Sequence, residues 1–128
     1  MYRTPRLPKK PRPRLAVDFD GVIHRYRFGF QDGSIYDVPM RGAKQALERL
    51  HKKWWLYIYT TRATPHAGRR AVEAWLRKHE ISFDEVVAGK PIAFAYIDDR
   101  AIHFESWRQA LGDLRVMHRA QRQRAKER

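Results

Sequence analysis

The sequence predicts an α/β fold: a doubly wound, mostly parallel sheet of about four strands with flanking helices. Two runs, Trp54–Tyr59 and Ile92–Ile97, are apolar throughout, as strands buried on both faces of a parallel sheet are. Between the strand candidates lie segments whose apolar residues recur at helical spacing, Ala43, Ala46, Leu47 and Leu50, then Ala71, Val72, Trp75 and Leu76. Carboxylates stand at the end of a third, shorter apolar run, Leu15–Phe19, and of Ile92–Ile97, and in doubly wound sheets the carboxyl ends of central strands are where ligands bind.

In chain order, residues 1–13 carry Pro5, Pro8, Pro11 and Pro13, a spacing that forbids helix and favours an extended, polyproline-like arm. Leu15–Phe19 is a short apolar run and reads as the first strand. Residues 21–39 have no period and contain Gly21, Gly29, Gly33 and Pro39, so a loop or flap is expected. The helix on Ala43–Leu50 leads to the Trp54–Tyr59 strand. Thr64-Pro65 then reads as an N-cap followed by proline at the first helical position. Glu85–Val87 is expected as a short strand and Ile92–Ile97 as a longer one. Residues 105–122 are expected to form a closing helix with Trp107, Ala110, Leu111 and Leu114 turned inward. The chain shows no internal repeat.

A chain of 128 residues, 43% of them hydrophobic, can bury one core but has no room for a second domain covering a substrate. The absence of cysteine excludes disulfides, thiolate metal sites and a cysteine nucleophile, and fits a reducing cytoplasm. No apolar stretch reaches signal-peptide or membrane-spanning length, so a soluble, cytoplasmic protein without a membrane partner is expected; oligomeric state is not legible. The net charge of +13 is concentrated at the ends. Residues 1–14 hold six basic side chains and no acid, and residues 115–128 hold six against Glu127. Basic ends attract polyanions such as nucleic acid, or serve solubility alone. The expected organisation is a basic proline-rich arm over 1–13, one folded domain over 14–114, and a basic helix end or tail over 115–128.

Asp18 and Asp20 follow the first strand, Asp98 and Asp99 the last, and Thr60 and Thr61 the strand between. The predicted topology therefore brings four acids and two hydroxyls to one sheet edge. Acids crowded together raise one another's pKa unless a charge offsets them. A hard divalent cation such as magnesium, bound by oxygen ligands, would do so.

The segment Ala16-Val17-Asp18-Phe19-Asp20-Gly21-Val22-Ile23 resembles the first motif of the haloacid dehalogenase (HAD) superfamily of phosphohydrolases. Thr60 after Leu56-Tyr57-Ile58-Tyr59 is similar to the second motif, Lys90 in Gly89-Lys90-Pro91 to the third, and Asp98-Asp99 after Ala95-Tyr96-Ile97 to the fourth. The likeness spans residues 14–112 and is nearest to short, capless bacterial and phage members. Thr60-Thr61-Arg62 and Ile97-Asp98-Asp99-Arg100 also resemble the phosphatase domains of polynucleotide kinases. The resemblance implies a Rossmann-like core and a magnesium-dependent phosphomonoester hydrolase. It implies Asp18 as the nucleophile forming an aspartyl-phosphate and Asp20 as general acid, then base. It further implies Thr60 as a phosphoryl hydrogen-bond donor and Lys90 as a neutralising cation. Thr61 and Arg62 become substrate-binding residues. Magnesium would be bound by Asp18, the backbone carbonyl of Asp20 and Asp99, with Asp98 in a more distant or water-mediated role. An acid at position 20 favours a phosphate ester over a haloacid, because halide needs no proton.

The chain departs from capped members by having only a flap after the first motif. An open site suits a bulky phosphorylated substrate, such as a nucleic-acid end, better than a small metabolite. No Gly-x-x-x-x-Gly-Lys-Ser/Thr loop is present, which argues against a kinase. The alternative is a catalytically weak protein of the same fold that binds nucleic acid through its basic ends. His24 and His66 are expected as loop and helix-start residues, and Trp54-Trp55 as core.

Overall fold

A computed structural model describes residues 11–127; the arm expected over 1–13 lies outside them except for its last three positions. The elements are β1 (Arg14–Asp18), α1 (Ala43–His51), β2 (Trp55–Tyr59), a 3-10 turn (Thr61–Ala63), α2 (His66–Lys78), β3 (Glu85–Val87), β4 (Ala95–Ile97) and α3 (Trp107–Glu127). The four strands form one sheet in the order β3-β2-β1-β4, and every pairing is parallel. The α/β expectation is met. Strand order reverses at β1, so the switch point lies between β1 and β4, with Asp18 and Asp98–Asp99 at its carboxyl mouth.

Alternation along the strands decides where the core lies. Leu15 pairs with Leu56, Val17 with Ile58, and Ile58 with Val86, so these five side chains share one face. They form a single buried cluster with Ala43 and Leu47 of α1 and with Val72, Trp75 and Leu76 of α2. Both crossover helices therefore lie against the same face. Phe19, just past β1, is fully buried and meets the Trp75 ring edge-on at 5.2 Å. Each large apolar side chain buried in this way contributes about 1.5–3 kcal/mol.

The opposite face carries Trp55, Tyr57 and Tyr59 of β2, half-buried, and Tyr96 of β4, exposed. The helix expected to close the fold does not cover it. Trp107, Leu111 and Leu114 of α3 are 74%, 55% and 54% exposed, and Ala110 is only partly buried, which corrects the expectation that these residues turn inward. Helical periodicity in a sequence reports an apolar stripe, not what lies against it. Double winding, with helices over both faces, is not what α1 and α2 build.

Smaller differences have local causes. The last strand is Ala95–Ile97 rather than Ile92–Ile97; Ile92 and Phe94 are exposed, so that apolar run is partly surface. Thr64 closes the 3-10 turn and Pro65 takes the N-cap position of α2, one residue later than predicted. The helix can start there only because Gly68 lacks a side chain, since a Cβ at Gly68 would fall 1.8 Å from the Arg62 carbonyl. No helix among the described residues is long and apolar enough to cross a membrane.

At the amino edge of the sheet a carboxylate ties three elements together. Asp84, before β3, accepts from Arg12 at 3.0 Å, from His51 at 3.1 Å and from the Leu56 N–H at 2.7 Å. These donors hold its pKa below the usual value despite its burial.

Candidate active site

The carboxyl edge gathers most of the residues singled out in the sequence. Asp18 ends β1, and carboxylate oxygens of Asp18, Asp98 and Asp99 all lie within 4.8 Å of one another. Asp18 also accepts the Phe19 N–H at 2.9 Å. Burial, and then the charges of Asp98 and Asp99, push its pKa up from 3.8 to about 7. Asp99 packs onto Gly21, whose φ is +84°; a Cβ there would fall 2.3 Å from Asp99 Oδ2. Glycine at this turn thus permits both the left-handed backbone and the approach of the fourth-motif acid.

The two acids of the last pair differ. Asp98 accepts the phenol of Tyr59 on one oxygen and the Arg100 N–H, at 2.8 Å, on the other. Burial raises its pKa, but these hydrogen bonds outweigh burial and hold it low. Burial, and then the same contact, push the Tyr59 phenol well above its usual range. Asp99 is exposed and its carboxylate lies free of such a clamp.

Asp20 has a different environment again. It accepts from Arg62 Nε at 2.8 Å and lies 2.8 Å from Nδ1 of fully buried His24. His24 Nε2 accepts the Asp37 N–H at 3.0 Å, so the proton of the neutral ring is on Nδ1 and is donated to Asp20. Burial alone would raise the Asp20 pKa; His24 and Arg62 together lower it. Arg62 reaches on to the Gly33 carbonyl and lies 5.7 and 6.0 Å from the ring centroids of Tyr26 and Phe30. Its Nη2 is buried without a partner. The 21–39 flap is consequently a closely bonded loop. Within it Arg27 grips Asp37 through Nη2 at 2.8 Å and Nε at 3.1 Å, and Trp75 of α2 donates to the Asp37 carbonyl.

Thr60 is buried, and its Oγ1 accepts the Arg62 N–H at 3.2 Å. Thr61 begins the 3-10 turn and is exposed. Lys90 is brought to the same side, but its ammonium lies 4.4 Å from the centroid of Tyr96. Its charge helps to lower the Asp98 pKa, and no ion pair joins it to Asp18. A hollow of about 560 Å³, lined by Phe28, Gln31, Asp32, Ser34 and Tyr36 of the flap, contains none of these acids. The acid cluster lies on the open sheet edge.

Sequence reasoning missed His24 as a partner of Asp20 and Arg62 as its counter-ion. The first depends on the chain returning at Asp37 to fix the ring, the second on the 3-10 turn after β2. Neither leaves a local signature. Comparisons with models of protein families, with curated proteins and with solved structures find no match to this chain.

Proposed function

We propose that the protein is a magnesium-dependent phosphomonoester hydrolase of HAD type, acting through an aspartyl-phosphate on Asp18. The observation that carries this reading is the meeting of Asp18, Asp98 and Asp99 within 4.8 Å at the switch point. Three carboxylates so placed, one of them with a pKa near 7, form an all-oxygen donor set suited to a hard dication. Asp18 and Asp99 would hold it directly, with the Asp20 carbonyl. Asp98, clamped by Tyr59 and Arg100, would orient the site. Magnesium bound there supplies positive charge that lowers the Asp18 pKa and polarises the phosphoryl group.

Asp18 Oδ attacks phosphorus as the bond to the ester oxygen breaks, and Asp20 delivers a proton to that oxygen. Water then attacks phosphorus and gives its proton to Asp20. The bond to Asp18 breaks and phosphate leaves. This sequence needs Asp18 ionised and Asp20 protonated, the reverse of their order in the free protein. Charge supplies the inversion. A cation lowers Asp18, while a phosphate dianion raises Asp20 and competes with it for Arg62, whose Nη2 has a donor to spare. Thr60 contributes its hydroxyl to a phosphoryl oxygen, and Lys90 moves off Tyr96 to the same group. Nucleic-acid ends are the substrate class that the open edge and basic termini favour.

The test is a phosphatase assay with and without magnesium on 3′- and 5′-phosphorylated oligonucleotides, nucleotides and an aryl phosphate. Magnesium-dependent phosphate release is expected. Absence of release from every substrate would refute the reading.

A further inference from the structure

Among the described residues no helix lies over the sheet face opposite α1 and α2, and that face is lined by rings. In the register, Arg14 lies beside Trp55, Ala16 between Tyr57 and Tyr96, and Asp18 beside Tyr59. The centroids of Trp55 and Tyr57 are 6.4 Å apart and those of Tyr59 and Tyr96 6.3 Å apart. Cations accompany them: Arg12 is 5.4 Å from the Trp55 centroid, Arg14 5.9 Å from Tyr57 and Lys90 4.4 Å from Tyr96. Among the described residues the one acid on the strands of this face away from the site is Glu85, paired with Tyr57 on the β3 side and half-buried. At its carboxyl end the face runs directly into the acid cluster, where the Tyr59 phenol donates to Asp98.

We infer that this face binds single-stranded nucleic acid, with bases stacked on Tyr57 and its neighbouring rings and phosphates held by Arg14 and the adjoining cations. Rings interleaved with basic side chains are what single strands require, because every base offers a π-face and every linkage a negative charge. Charge also selects against the other candidate occupant. A second copy would bring a chain of net charge +13, and an α3 bearing Arg108, Arg115, Arg119 and Arg122, onto a face already lined by Arg14 and Lys90. An anionic aromatic ligand satisfies both the rings and the cations. The delivery of a strand end to Asp18 rests on the phosphohydrolase reading; the binding does not.

The experiment uses the full chain without divalent cation and follows the anisotropy of a labelled single-stranded oligothymidylate across a salt series. Tyr57→Leu keeps an apolar side chain but removes the stacking surface. It should weaken single-strand binding about tenfold while leaving duplex binding, where bases are already stacked, unchanged. Arg14→Gln should weaken binding and reduce the log–log salt slope by roughly 0.7. Wild-type affinity in Tyr57→Leu would overturn the inference. So would loss of binding only in an α3 variant with Arg115, Arg119 and Arg122 changed to Gln. A concentration-dependent dimer in sedimentation that Tyr57→Leu dissociates would assign the face to a second copy and also overturn it. Aryl phosphatase rates in magnesium, measured on the same preparations, keep the two readings apart. Failure to bind the oligonucleotide with aryl turnover intact refutes the platform alone. Binding without any turnover refutes the hydrolase alone.

Discussion

At the amino edge of the sheet Asp84 is met by a guanidinium, an imidazole and a backbone N–H, whereas at the carboxyl edge Asp18 is met by two further carboxylates. The same residue type, at opposite edges of one sheet, is held well ionised in one place and driven towards protonation in the other. Asp37 follows Asp84, gripped by Arg27. Structural acids in this chain each have their own donors. Asp18 instead faces Asp98 and Asp99 with no cation paired to it, so burying its ionised form costs stability unless a charge arrives from outside. That contrast, more than any single motif, separates the candidate site from the scaffold.

Substitutions on the two edges should therefore differ in kind. The largest expected effect is on Asp18→Asn, which should reduce phosphatase turnover to background while leaving the circular dichroism spectrum unchanged. Asp20→Asn should lower the rate on an alkyl phosphate by about 10²–10⁴-fold, and by less on an aryl phosphate with a good leaving group. Equal losses on both would remove Asp20 from proton transfer. Asp99→Ala should raise the magnesium concentration needed for half-maximal rate more than Asp98→Ala does; the opposite ranking, from magnesium titrations, would exchange their roles. On the scaffold edge, Asp84→Ala should cost about 1–3 kcal/mol of stability in denaturant unfolding with turnover per folded molecule retained. The mildest test is pH. Asp18 has a raised pKa, so the metal-free protein should lose stability as pH rises from about 4 to about 7, and Asp18→Asn should abolish that loss. Asp84 has a lowered pKa, so its contribution is present above the ordinary carboxylate range and lost on acidification. Thermal unfolding of both variants across pH separates the two.

The central strands and both crossover helices were legible because burial leaves a period or an unbroken apolar run. Leu15–Phe19, Trp54–Tyr59, Ala43–Leu50 and the Ala71–Leu76 segment all correspond to observed elements. The acids at strand ends were legible for the same reason, since locating a strand locates its end. What failed was partnership. Nothing in Trp107, Leu111 and Leu114 says that their stripe faces solvent, and nothing in Ile92 and Phe94 distinguishes a surface run from a strand. The His24–Asp20 contact needs a loop that returns thirteen residues later to the ring. Arg62, expected at the substrate, binds Asp20 and the flap, contacts set by the 3-10 turn after β2 and by the returning loop rather than by any local pattern. Lys90 rests on Tyr96 rather than on Asp18, and nothing in Gly89-Lys90-Pro91 distinguishes the two.

The measurement that tests the account most directly is capture of the phosphorylated enzyme. Wild-type protein, magnesium and an aryl phosphate are mixed, quenched in acid during turnover, digested and examined by mass spectrometry. The account predicts one phosphoryl group on the peptide containing Asp18, absent without magnesium and absent from Asp18→Asn. Sustained phosphate release with no label on that peptide, and at the wild-type rate in Asp18→Asn, would contradict it.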